Sequence, residues 1–431
     1  MLRMIFVIAI ILAGIVLSVH SAFFGLLFYL WNAYFRPESW TYGYFIVSLR
    51  LSLLIGAYVV LRTLLSAPKP RLNWQSGLIW LFFFQAIVGC LTSEVPDRSW
   101  AYFDMFWRVL LISYLIVVLT DDRRKFRLVL LVIVLSLGFE TTKQGWVNLF
   151  RAPGAPNTNP NPFLGDNNGV AMGLMMLLPL IGAMAQTSSK VWERNMHRFV
   201  YIGVLLRGIS TYSRGGFLGA ATLMVIGVFR AEKKWRAAVV AVVLVAGVTA
   251  IMPDEFWRRM DTITIDEEAE EVRDESAGAR LDFWNVAVTM ANANPLTGVG
   301  LNGFNRAFLT YNTYEAYVGQ ERAAHSSWFG VLGDLGYPGL GLFVANVVMA
   351  FWGCWRVHRM AKQNPALREL AIYANALISA LAVFCVSGSF LSAQYNEMAW
   401  HLFALAAALR LIARDEVLAG APTEGATARA A

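Results

Sequence analysis

Apolar runs recur at close to membrane length along almost the whole chain. They fall at about 4–35, 42–61, 75–92, 103–119, 126–139, 168–186, 199–213, 215–229, 237–252, 326–352, 370–391 and 397–413. About 20 consecutive apolar residues make a helix that crosses a bilayer, and inside lipid only helices or closed barrels satisfy their own backbone. Charged residues are 15% of the 431, and mean hydropathy is +0.51. Soluble domains carry about 25% charged residues. The pattern predicts an all-α polytopic membrane protein and argues against a soluble multidomain enzyme. The run 4–35 is long for one crossing. Read as one, it gives about 12 transmembrane helices with Arg3 inside. Read as a hairpin, it gives 13 with the N-terminus outside. The expectation adopted is 12. No small-residue cleavage pattern follows the first run, so it reads as a retained membrane segment.

The net charge of +7 comes from short loops rather than from a nucleic-acid-binding patch. Clusters such as Arg123-Arg124-Lys125, Lys190 to Arg198, Arg230 to Arg236 and Arg356 to Arg368 all fall on one side if the runs alternate. That side is cytoplasmic. The loops near 93–102, 150–167 and 392–396 are poor in Lys and Arg, so they lie outside. So does the long polar stretch Met252–His325. The expected divisions are a transmembrane bundle over 1–251, an external loop with short helices over 252–325, transmembrane helices over 326–414, and a disordered cytoplasmic tail over 415–431. Cys90, Cys354 and Cys385 lie in apolar runs and read as buried thiols, not as a disulfide or metal site.

Three residues stand out as chemistry. The hairpin Phe199 to Phe229 must cross twice in about 31 residues, roughly 23 Å per leg against a core of about 30 Å. Its apex, Thr211 to Gly216, should be recessed, with Gly215-Gly216 permitting the turn. Arg214 at that apex suits a ligand phosphate or a carboxylate, and equally a snorkelling interfacial arginine. Arg207, seven residues earlier, shares its face and suits either a deeper substrate contact or a structural ion pair. Arg280 lies on a helical segment that stops at Asn294-Pro295-Leu296-Thr297-Gly298-Val299-Gly300. It cannot pair with Asp282 at i, i+2. His325 opens the next apolar run; a near-neutral imidazole there can accept a proton from a hydroxyl, or simply end a helix. His20 and His401 read as packed, and His197 and His358 as members of basic loops. Asp166 or Asn167 should cap the helix that follows a proline-rich loop. Tyr311, Tyr314 and Tyr317 are spaced to share one face, while Asp266–Glu275 reads as solvated. There is no P-loop, Asp-x-Asp pair, Gly-x-Gly-x-x-Gly, His-Glu-x-x-His or Gly-x-Ser-x-Gly.

Taken together, Ser213-Arg214-Gly215-Gly216, Arg280…Trp284, the Asn294 to Gly300 turn and His325-Ser326-Ser327-Trp328…Gly333-Asp334-Leu335-Gly336-Tyr337-Pro338-Gly339-Leu340 resemble the O-antigen ligase/polymerase superfamily. The likeness is specific over about 205–345. The aromatic N-terminal segment and Asp166-Asn167-Asn168 also resemble the branch of exosortase-associated O-glycosylation ligases. The resemblance implies a GT-C-like glycosyltransferase in the bacterial inner membrane with its site on the periplasmic side. Its donor would be a glycan on undecaprenyl diphosphate and its acceptor the lipid A–core of lipopolysaccharide. Arg214, Arg280 and His325 match the family's functional residues; Ser326 replaces an Asn found in many members. Two guanidiniums would offset the charge of the departing diphosphate, so the expectation is a metal-independent, inverting transfer with no cofactor. Membrane lipids are expected partners and nucleic acid is not. Polymerase and protein O-oligosaccharyltransferase activities stay open on the same fold. A lipid or solute transporter fits less well, because the notable charges lie at one face rather than at midplane.

Overall fold

The computed structural model describes residues 2–39, 50–66, 68, 71, 73–251 and 277–420. Among them are fifteen α-helices and no strand. The first five are α1 (Leu2–His20), α2 (Ala22–Phe35), α3 (Leu51–Ser66), α4 (Trp74–Leu91) and α5 (Pro96–Leu119). Next come α6 (Arg123–Arg151), α7 (Asn167–Thr187), α8 (Val191–Ile209), α9 (Arg214–Arg230) and α10 (Lys234–Ile251). The last five are α11 (Ala277–Ala293), α12 (Phe304–Tyr311), α13 (Ser327–Gln363), α14 (Arg368–Gly388) and α15 (Glu397–Gly420). Five segments are long and apolar enough to cross a membrane by themselves: α4, α5, α7, α13 and Pro365–Gly388, which contains α14. The apolar parts of α1 and α3 are shorter.

The expected single crossing over 4–35 is corrected to a hairpin. Ser21 is extended and caps α2, its hydroxyl accepting from the Phe24 amide at 3.3 Å. Gly14 then faces Phe28, and Val7 clusters with Phe35. Both pairs straddle Ser21 evenly, so α1 and α2 run antiparallel and Leu2 and Phe35 lie at the same end. The physical cause is unequal burial. Helix α2 buries Leu26, Leu30 and Tyr34 in the bundle, while α1 leaves Leu12, Val16 and Val19 exposed.

Helix α7 is the most enclosed of the five long apolar segments, packed by α6, α8, α9 and α14. Its N-cap is Asp166, whose carboxylate accepts from the Gly169 amide at 2.8 Å, as the sequence led us to expect. Helices α6 and α8 approach closely because Gly145 and Gly203 face one another. A Cβ on Gly145 would lie 1.9 Å from the Gly203 carbonyl oxygen. Small residues at such crossings let backbones approach closely and gain dispersion contact where lipid supplies no hydrophobic drive. At the end of the bundle away from His325, Arg71 pairs with Asp415, Arg123 with Glu416 and Arg127 with Glu193. The first two pairs hold α15, which continues through Gly420, past residue 415 where a disordered tail was expected to start. The remainder of that tail, and the acidic block at 266–275, lie outside the described residues.

Helix α13 is broken at Gly336, which has φ 67° and ψ −168°, a conformation open essentially to glycine alone. The break strands carbonyls inside the protein, where water cannot reach them. The turn after α11 and Gln85 of α4 satisfy them. Val299 N donates to Gly333 O at 2.9 Å and Gly300 N to Asp334 O at 3.0 Å. Gln85 Nε2 donates to Leu335 O at 3.1 Å, and Tyr337 N donates to Pro295 O at 2.9 Å. The Asn294 to Gly300 motif is therefore a plug that locks the segment from α11 to His325 onto the bundle. That segment has its own core, built on Phe283, Met290, Phe304 and Phe308.

Candidate functional site

The apex of the α8–α9 hairpin is built from Ser210 to Ser213. Tyr212, not a glycine, takes the positive φ there, at 52°. This corrects the expectation that Gly215-Gly216 makes the turn; both residues already belong to α9. Gly216 is required instead by close packing, since its Cβ would lie 2.7 Å from the Ala171 Cβ on α7. Neighbours fix the apex on three sides. Asn167 Nδ2 donates to Thr211 O at 2.8 Å, and the Ser213 hydroxyl donates to Asn168 Oδ1 at 2.7 Å. The Tyr212 hydroxyl donates to Gly154 O, and the Ser387 hydroxyl on α14 donates to Gly215 O at 2.9 Å. Arg214 is the first residue of α9 and is half-buried, so its backbone is held from both α7 and α14.

Arg280 projects from α11 and is half-buried, its guanidinium 5.8 Å from the centre of the Phe390 ring. Phe390 follows α14 by two residues, and Ser387 lies on α14's last turn. The end of α14 thus bridges the turn carrying Arg214 and the helix carrying Arg280. Trp284, one turn along α11, stacks on Phe329 at 4.9 Å and donates from Nε1 to Ala324 O at 3.1 Å. That bond anchors the residue directly before His325. His325 itself has φ 45°, an uncommon left-handed backbone for a non-glycine residue, and its ring lies 6.0 Å from that of Phe283.

His325 lines a cavity of about 430 Å³ between the α11–α13 segment, α7 and the loop from α14 to α15. Its wall is rich in amides, hydroxyls and carboxylates, among them Asn168, Asn302, Asp334, Gln394 and Tyr395. Asp334 is fully buried and was missed as a candidate in the sequence, where it reads only as part of a Gly-Asp-Leu-Gly-Tyr-Pro string. Its carboxylate accepts from Phe304 N at 2.8 Å, the Tyr395 hydroxyl at 2.9 Å and Gln394 Nε2 at 3.4 Å. Burial pushes the Tyr395 hydroxyl well above the usual phenol range, and the neighbouring Asp334 adds to this. The available signal was a lone Asp inside a strongly apolar run. Neither Arg214 nor Arg280 lines this cavity. Arg214 follows Ser213, which bonds the wall residue Asn168, and Arg280 lies over Phe390, next to the wall residue Leu391.

Arg207 does not reach the cavity. It is 1% exposed and donates from Nε to Gln144 Oε1, from Nη1 to Asn157 O and from Nη2 to Asn159 O, each at 2.8 Å. Among the described residues it forms no ion pair. It is the strut that fixes the proline-rich loop over the hairpin. The three tyrosines do not form one platform. Tyr311 donates to Glu94 at 2.5 Å, Tyr314 accepts from Asn285 Nδ2 at 3.1 Å, and Tyr317 is buried against Phe283. Arg306 and Arg98 share Glu321 and hold its carboxyl below the usual range. Glu140 and Lys143 pair locally at 3.1 Å. His401 is packed against Tyr34, whereas His20 is exposed at the end of α1 and His197 is buried in α8. Among the described residues no three His, Cys, Asp or Glu side chains are placed to hold a metal ion.

These features define a helical membrane protein with a polar cavity where a small helical subdomain docks on one end of the bundle. Residues 199–344 match the family described as O-antigen ligase, and that match supports the O-antigen ligase superfamily for this part of the chain. The matched stretch contains Arg207, Arg214, Arg280, His325 and Asp334. Residues 1–185 match a family of unknown function (DUF5935). No curated protein matches the chain.

Proposed function

We propose that the protein is an O-antigen ligase of the bacterial inner membrane. It transfers a glycan from undecaprenyl diphosphate to the lipid A–core of lipopolysaccharide at the periplasmic face. The observation that carries this reading is the placement of His325 on a polar cavity, with the turn bearing Arg214 and the helix bearing Arg280 both tied to the end of α14 beside it. In the proposed reaction the acceptor hydroxyl oxygen attacks the anomeric carbon. The bond from that carbon to the diphosphate oxygen breaks, and undecaprenyl diphosphate departs with the electron pair. His325 takes the hydroxyl proton. Arg214 and Arg280 offset the charge that grows on the diphosphate, within a low-dielectric surrounding where such contacts count most. A single displacement inverts the anomeric centre. The amide-rich wall, with Asn168, Asn302 and Gln394, suits hydroxyl-bearing sugars.

Reconstitution in proteoliposomes with a lipid-linked glycan tests the reading directly. Lipid A–core, an acceptor peptide and a second lipid-linked glycan are supplied in separate reactions. Extension of lipid A–core is the expected result. Extension of the peptide or of the second donor alone would reassign the protein to the oligosaccharyltransferase or polymerase branch, and no transfer to any acceptor would overturn the enzyme reading.

A further inference from the structure

We propose that a slot at the opposite end of the bundle from His325 binds the phosphate of an anionic membrane phospholipid. The slot has a volume of about 510 Å³ and lies between the start of α4, the second half of α13 and the middle turns of α15. Three kinds of group converge there. Arg410 lies 4.0 Å over the Trp352 ring, and Arg356 approaches the same ring at 5.6 Å. Arg414 adds a third guanidinium nearby. The adjacent carboxylate, Asp415, is already held by Arg71 and Arg414. Among the described residues Arg410 has no ion-pair partner. Asn73 uses its Oδ1 to cap α4, accepting from Ser76 N at 2.9 Å. Its Nδ2 is buried and has no hydrogen-bond partner among the described residues. Met349 and Leu411 supply apolar wall, and Trp74 at the slot's edge is 77% exposed.

This combination selects the ligand. Excess guanidinium and an idle amide donor call for an oxyanion, and guanidinium matches phosphate in a two-point fork. The apolar wall and exposed indole call for an acyl chain and a headgroup interface. Free phosphate would satisfy only the first set of groups, and a zwitterionic lipid would bring its own cation toward Arg410. Basic pockets between helices at a membrane surface hold anionic headgroups by the same physics. The proposal does not depend on the glycosyl-transfer reading.

Native mass spectrometry of the full-length protein in detergent tests it. Phosphatidylglycerol, phosphatidylcholine and inorganic phosphate are titrated separately. Phosphatidylglycerol should be retained and the other two lost. The R410Q variant should retain phosphatidylglycerol roughly fivefold less well, the effect of one basic side chain at an anionic headgroup. R410K should recover part of the loss. G77L provides a second route, because Gly77 lines the slot and a Cβ there meets nothing within 4 Å, so a leucine side chain is directed into open space. It should abolish retention without lowering the melting temperature. R359Q, which removes a guanidinium lying over Trp355 rather than Trp352, should behave as wild type. Equal retention by wild type, R410Q and G77L would overturn the site. Equal retention of phosphatidylcholine, or binding of inorganic phosphate as tight as that of phosphatidylglycerol, would overturn the lipid assignment.

Discussion

Replacing Gly336 with alanine should disconnect the site's two halves without touching a reacting group. At φ 67° and ψ −168°, a non-glycine residue stores about 1–3 kcal/mol of strain. A Cβ would also lie 2.6 Å from the Pro295 carbonyl oxygen and 3.0 Å from the Thr297 nitrogen. Relieving that contact means withdrawing the plug. The bonds lost are Tyr337 N to Pro295 O, Val299 N to Gly333 O and Gly300 N to Asp334 O. At about 0.5–1.5 kcal/mol each they bring the total to roughly 3–7 kcal/mol, comparable with the net stability of a domain. The α11–α13 segment should therefore detach, displacing Arg280 and His325 from the α14 end. Thermal melting in detergent and glycan transfer in proteoliposomes report the two consequences. Gly341→Ala is the matched control on the same helix, since nothing lies within 4 Å of its Cβ; it should gain about 0.5–1 kcal/mol. Wild-type melting and turnover in G336A would refute the reasoning.

Three further outcomes follow from the same geometry. Arg207→Ala removes three donors from part-buried hydrogen bonds and should cost roughly 2–4 kcal/mol, with new protease cleavage within 152–162; cleavage and melting like wild type would refute the strut. Transfer should survive EDTA with turnover within about twofold, because the two arginines supply the positive charge; a strict metal requirement would remove that argument. Single cysteines placed at exposed positions within 277–320 should react with an impermeant maleimide added from the periplasmic side, and labelling from the cytoplasm alone would invert the topology.

Much of the fold was legible because the membrane punishes unpaired backbone, so hydrophobic runs mark helices directly. The runs at 75–92, 168–186 and 215–229 fall within about one residue of α4, α7 and α9. The first run misled because composition does not encode a turn. Ser21 is one polar residue in an apolar stretch, and only the packing of Gly14 against Phe28 reveals the hairpin. Arg214, Arg280 and His325 stood out as candidates through motif likeness. The links of Arg214's turn and of Arg280 to the end of α14 were not legible, because that helix end lies more than 60 residues beyond His325. The partners of Arg207 were hidden for a related reason. Heptad spacing set it on the face of Arg214, but its acceptors belong to a loop nearly 50 residues earlier. Asp334 escaped notice because its hydrogen-bond partners lie on α12 and beyond α14.

The central claim is that His325 activates the acceptor within a site completed by Arg214 and Arg280. The most direct test is single-turnover transfer from a lipid-linked glycan to lipid A–core by His325→Ala in proteoliposomes, with donor retention measured in the same sample. The account predicts that donor retention persists while transfer falls by about 10²–10⁴-fold. Transfer at the wild-type rate would contradict it.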